Sequence, residues 1–273
     1  MQNTLMKKTV FEAAQHCLLL QDVNEKLAAA TQLYDDWCAG KLSLDKVELA
    51  ESDQAGRPEK PELVDPRDVP KRKFGSPEGR AIMIHAVAHI EFNAINLACD
   101  AAYRFRDMPE QYYADWLQVA AEEAYHFSLI EARLQKLGHR YGDYAAHGGL
   151  WDLALKTKHD VLARMALVPR VMEARGLDVT PGMMERFGKN GDQETVDILK
   201  IILRDEIGHV KFGTRWFKYA CEQRGLDSET TYFELLNQYF AGGITCPLHK
   251  EARLDAGFSP EELVRLEEIC KKF

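Results

Sequence analysis

Two short stretches constrain this chain more than any other. "EEAYH" (Glu122 to His126) and "DEIGH" (Asp205 to His209) each place a glutamate and a histidine three positions apart, inside segments whose apolar residues recur with helical spacing. At about 100° per residue, Glu206 and His209 share a face with Thr195, Leu199, Ile202, Leu203, Val210, Gly213, Phe217 and Ala220. Glu123 and His126 likewise fall among Tyr112, Trp116, Val119, Ala120, Phe127, Ile130 and Leu134. Both pairs therefore face a core, where uncompensated carboxylates cost several kcal/mol each.

Two further acids complete the pattern. Glu91 lies among Ile84, Val87, Ala88, Ala94, Ile95 and Ala98, and Glu173 follows Leu155, Leu162, Ala166 and Pro169. Glu91 precedes Glu123 by 32 positions and Glu173 precedes Glu206 by 33, so the second half of the pattern echoes the first. A turn near Met108 brings Glu91 level with Glu123 and His126 in an antiparallel hairpin, at the 1.5 Å rise of an α-helix. The second hairpin closes only if residues 177–189 continue along the third helix.

The helical segments follow from local signals. Ser76 and Pro77 start a helix running to about Asp107, and a second spans about Pro109 to Leu137, stopped by Gly138. A third covers about Leu150 to Arg175, kinked at Pro169 and stopped by Gly176, with an extra turn at 181–187. A fourth runs from about Asp192 to Arg224, and smaller helices cover about 228–240 and 260–271. Residues 9–50 read as one or two amphipathic helices, and residues 56–75, with prolines at 58, 61, 66 and 70, as an extended strap. No strand-like alternation appears. The expected class is all-α: an N-terminal helical extension (1–55), the strap (56–75), a four-helix bundle (76–225) and C-terminal helices packed on it (226–273).

Composition narrows the function. A formal net charge of -8 gives no general attraction to nucleic acid. The six cysteines form no CxxC pair, which argues against a zinc ribbon and suggests reduced thiols. The N-terminus lacks an apolar leader and no apolar run reaches the roughly 18 residues of a membrane span, so a cytoplasmic protein is expected. His85 and His89 lie off the Glu91 stripe and read either as helix-packing groups or as groups that support the metal ligands from behind. Tyr103 and Tyr125 read as buried aromatics.

Four inward carboxylates and two imidazoles, with no thiolate, suit two metal ions: iron first, manganese or a mixed pair as alternatives. One Glu from each of two helices and an E-x-x-H from each of the others is the ligand set of di-iron and di-manganese carboxylate bundles. The expected ligands are Glu91, Glu123, His126, Glu173, Glu206 and His209.

At these residues the chain resembles the ferritin-like di-iron superfamily. Its wider text, including "GRPEKPELVDPRDVPKRKFGSPEGR", "WLQVAAEEAYHFSLI" and "LRDEIGHV", looks like one bacterial ferritin-like branch of unknown function. The resemblance implies a four-helix di-metal bundle. Carried over by position, it also implies that Asp205 orients His126 and that Glu122 orients His209, although Glu at 122 departs from the commoner Asp.

The expected activity is oxidation or hydroxylation of a small organic substrate with O2 or peroxide, fed by an external electron donor. Ferroxidase or peroxide-detoxifying iron handling, a tRNA hydroxylase and a metal-free scaffold are the competing classes. The sequence leaves the oligomeric state open.

Overall fold

A computed structural model describes residues 7–240 and 244–270. The start of the expected N-terminal extension, residues 1–6, and the end of the last expected helix, residue 271, fall outside the described residues. Among the described residues the chain is all-α, with only two isolated bridges, Thr9 to Ser43 and Leu63 to Ala146. It divides into two compact units, Met1–Trp151 and Asp152–Phe273.

The first unit is built on a long hairpin. Helix α3 (Pro77–Arg104) starts where Ser76 Oγ accepts from Gly79 N at 3.0 Å. Helix α4 (Glu110–Lys136) ends before Gly138, whose φ of 81 requires glycine. By length and composition α3 is apolar enough to cross a membrane, yet 72% of its most apolar stretch is buried. That is what a central helix contacted on several faces requires.

Two preceding helices, α1 (Val10–Leu19) and α2 (Val23–Cys38), pack on α3 and α4 respectively. Thr9 and Glu12 form a reciprocal cap at the start of α1. The non-helical segment that follows α2, ahead of the strap, runs past the end of α3, where Tyr103 OH donates to Ala50 O (3.0 Å), Arg104 Nη2 to Ser52 O (2.8 Å) and Arg106 Nη1 to Val47 O (2.9 Å). Gly56 touches the end of α1 so closely that a Cβ there would lie 2.2 Å from Leu19 O.

Helix α5 (Gly149–Lys156) spans the boundary between the units. In the second unit, α6 (Val161–Leu167) passes into a π-helical segment (Val168–Glu173) and then into α7 (Ala174–Lys189), which forms a hairpin with α8 (Gln193–Gln223). Helices α9 (Ser228–Tyr239), α10 (Lys250–Asp255) and α11 (Pro260–Cys270) follow.

Three sequence expectations need correction here. The predicted third helix is not continuous: it breaks at 157–160, where Arg164 Nη2 donates to Ala154 O (2.6 Å) and its Nε to Thr157 Oγ1 (2.9 Å). These bonds take up groups that a continuing helix would use. Nor does Gly176 stop it, since α7 runs through Gly176 and Pro181 on a buried face of Ala174, Leu177, Thr180 and Phe187. The separate turn predicted at 181–187 is part of this helix, which supplies the continuation that the second hairpin needed.

The second correction concerns the cysteines. Cys246 and Cys270 are joined in a disulfide across a separation of 24 residues, far outside CxxC spacing. Cys17, Cys38, Cys99 and Cys221 are free. The third is Tyr125, which is 52% exposed instead of buried.

The second unit also buries charge. Arg170, wholly buried, donates from Nη2 to Glu262 Oε1 at 2.6 Å, and its guanidinium carbon lies 4.1, 4.5 and 4.9 Å from the ring centroids of Tyr232, Phe258 and Phe217. The π segment is thereby tied to α8, α9 and the α11 region through one side chain.

Candidate metal centre

In the first unit the α3–α4 turn brings Glu91, Glu123 and His126 together, with 3%, 0% and 0% of their surface exposed. His126 Nδ1 lies 3.4 Å from Glu91 Oε2 and 3.5 Å from Glu123 Oε2. Each residue offers a ligand atom, and these atoms lie within 4.8 Å of one another. The i, i+3 spacing aligns Glu123 and His126 on one helical face, and the hairpin delivers Glu91 opposite.

The electrostatics of this triad are those of a site that holds positive charge. Burial first, and then the Glu123 carboxylate, raise the pKa of Glu91 well above the usual carboxylate range. Burial opposes a charged His126, but the neighbouring Glu123 and Glu91 outweigh it and push its pKa up to about 11. Two carboxylates with one imidazole are oxygen and nitrogen donors that could hold a metal ion.

In the second unit α8 carries Glu206 (9% exposed) and His209 (0%), with His209 Nδ1 3.8 Å from Glu206 Oε1. Glu173, partly buried, is the last residue of the π segment. Widened turns of this kind occur frequently at functional sites. The kink expected at Pro169 is a π-helical segment that runs from Val168 to Glu173, a geometry no local residue signal marks.

The acids adjoining the two E-x-x-H glutamates are also placed. Asp205 accepts from Arg204 Nε (2.8 Å) and Nη2 (3.0 Å), and Glu122 accepts from Gln118 Nε2 at 2.9 Å.

His85 and His89 pack as expected. His85 Nε2 accepts from Gly142 N at 2.9 Å, while His89 Nδ1 lies 2.9 Å from Tyr141 OH and its Nε2 3.2 Å from His147 O. Burial pushes the pKa of each imidazole down to about 4. They fasten the α4–α5 loop to α3. His249 caps α10 by accepting from Ala252 N at 3.1 Å.

The fold and these residues define an all-α helical protein with a buried Glu/His group able to hold a metal ion. The chain belongs to the family described as "Protein of unknown function (DUF455)", whose family model matches residues 19–264. It is also 46% identical, over 263 residues covering 93% of this chain and 89% of the relative, to an uncharacterised protein of Haemophilus influenzae. No solved structure matches.

Proposed function

We propose that the chain is a ferritin-like di-metal carboxylate protein: an oxidoreductase that uses O2 or peroxide to oxidise or hydroxylate a small organic substrate. The observation that carries this reading is the buried Glu91–Glu123–His126 triad, whose donors lie within 4.8 Å of one another. The recurrence of the same residue types as Glu173, Glu206 and His209 supports a second metal.

In this reading the six residues are the ligands of two ions, iron first and manganese or a mixed pair as alternatives. When bound, such ions supply redox equivalents and Lewis acidity at neutral pH. The chain's own residues do the rest. The carboxylates neutralise the ions, the imidazoles provide nitrogen donors, and Asp205 and Glu122 orient His126 and His209. The apolar residues lining each helix face exclude water. An external donor supplies electrons. A cytoplasmic location belongs to the same reading, with four cysteines free.

The test is elemental analysis of protein purified without chelator, followed by the ultraviolet-visible spectrum after Fe(II) and O2. About two metal ions per chain and a new near-ultraviolet band are expected. Metal-free protein whose spectrum Fe(II) and Mn(II) leave unchanged would sink the proposal. A large hollow assembly that mineralises iron would favour iron handling, and salt-dependent RNA binding would favour a tRNA hydroxylase.

A further inference from the structure

Within the second unit the chain is gripped on both sides of Glu173. Three positions before it, Arg170 donates from Nη2 to Glu262 Oε1 of α11 at 2.6 Å. Five positions after it, Asp178 of α7 accepts from Arg253 Nε (2.9 Å) and Nη2 (2.6 Å) of α10 and from the His249 backbone N–H (2.8 Å). Helices α10 and α11 thus act as two jaws, one on each flank of the carboxylate.

The jaws share a hinge. Phe258, between the two helices, lies 4.5 Å from the Arg170 guanidinium carbon and 5.0 Å from that of Arg253. Glu262 also caps its own helix, its Oε2 accepting from Ser259 N at 2.8 Å, so the start of α11 is fastened directly to the π segment.

The far ends are closed by Cys246–Cys270. Cys246 stands just ahead of α10 and Cys270 is the last residue of α11. The ion pair between Lys250 and Glu267, at 2.8 Å, links the same two helices, but with side chains 57% and 32% exposed it holds little. The covalent bond is the stronger tie. Cys246 is exposed and Cys270 half-buried, while the other four cysteines are thiols. A disulfide open to solvent is open to attack by a thiolate. Breaking it leaves the buried Arg170–Glu262 and Arg253–Asp178 pairs in place, so each jaw keeps its grip while the tie between them is lost.

We infer that Cys246–Cys270 is a thiol–disulfide exchange site for a dithiol reductant, and that its state sets how firmly the backbone flanking Glu173 is held. One reductant thiolate attacks the exposed Cys246 sulfur, a mixed disulfide forms and the Cys270 thiolate leaves, taking up the proton that the reductant lost. The second reductant thiol then displaces Cys246, which leaves as a thiol. Two electrons pass to the protein, and the reductant departs as a disulfide. The consequence for metal rests on the reading of Glu173 as a ligand; the clamp itself does not.

The test compares the whole protein before and after dithiothreitol, without denaturant, by alkylation mapping and amide hydrogen exchange. Cys246 and Cys270 should become alkylated while the helical circular dichroism signal persists, and exchange within 168–178 should quicken about tenfold and return on reoxidation. The Cys246→Ser/Cys270→Ser double variant should exchange like reduced wild type with or without dithiothreitol, and should bind Fe(II) about tenfold more weakly than oxidised wild type. If the variant does not fold, the wild-type arms decide. A bond that resists dithiothreitol in the folded protein, unchanged exchange at 168–178, or equally faster exchange across the whole second unit would overturn the inference. Equal Fe(II) affinity in the two proteins would overturn the link to Glu173. Protein that binds no Fe(II) in either form contradicts the metal reading instead, and hydrogen exchange still decides the clamp.

Discussion

A Cβ added to Gly213 would lie 2.2 Å from Cγ and 2.3 Å from Cβ of Pro169, so α8 and the π segment meet where a proline ring rests on bare glycine backbone. The rigid ring cannot swing aside. Gly213→Ala should therefore cost about 2 kcal/mol, as overpacking does. Gly182→Ala, inside α7 with nothing within 4 Å of the added Cβ, should be stabilising by up to about 1 kcal/mol. Denaturant unfolding distinguishes the two, and a Gly213→Ala protein as stable as wild type would refute the contact.

Glu206→Ala and His209→Ala should each lose metal while the helical circular dichroism signal persists, because the hydrophobic faces of α8 do not depend on these side chains. Glu91→Ala should behave alike. Elemental analysis after dialysis reads the outcome, and full occupancy in these variants would contradict the ligand assignment.

Arg253 and Asp178 form a buried pair, Nη2 to Oδ2 at 2.6 Å with side chains 1% and 2% exposed, that ties α10 to α7. Asp178→Ala leaves a guanidinium without its buried carboxylate and should cost about 3–5 kcal/mol. Breaking the exposed Lys46–Asp107 pair should cost less than about 1 kcal/mol. Equal unfolding midpoints for the two variants would show that the α10 pair is solvated.

His85 carries a pH signature. Its folded pKa, about 4, lies below the ordinary value of 6.5, because burial disfavours the imidazolium. The unfolded chain then binds the extra proton between these values, so the contribution is fully present above pH 6.5 and is lost as pH falls toward 4. The loss is at most about 3 kcal/mol. Around His85 stand Tyr141, Tyr144, His89, Asp143 and the Gly142 amide. His85→Gln, which keeps an acceptor but does not titrate, should reduce the slope of thermal stability against pH across this window and leave the part that His89 carries; an unchanged slope would exclude His85 as a source.

Much of this molecule could be read from its residues because the relevant signals were local. Ser76 with Pro77, Gly138 and Asp192 bound helices whose ends the structure reproduces within a few residues. The inward acids were found because helical spacing alone puts them among apolar neighbours. The break at 157–160 was hidden because it depends on the Arg164 side chain returning to Thr157 and Ala154, and no local Gly or Pro marks it. Gly176 misled because glycine stops a helix by adopting positive φ, and it is not among the glycines that do so. Lys26, Arg170 and Arg253 were not foreseen as buried, since their types are ordinarily exposed and only tertiary partners reveal the exceptions.

The π segment has a consequence for how this chain tolerates change. A π turn is in effect one residue inserted into an α-helix, so the wheels of α6 and α7 are out of phase by about 100°. Deleting a single residue within 169–172 would rotate Glu173 about the axis relative to what precedes it. Chain length, more than residue identity, guards the aim of this carboxylate, and related sequences are best searched there for gaps before substitutions.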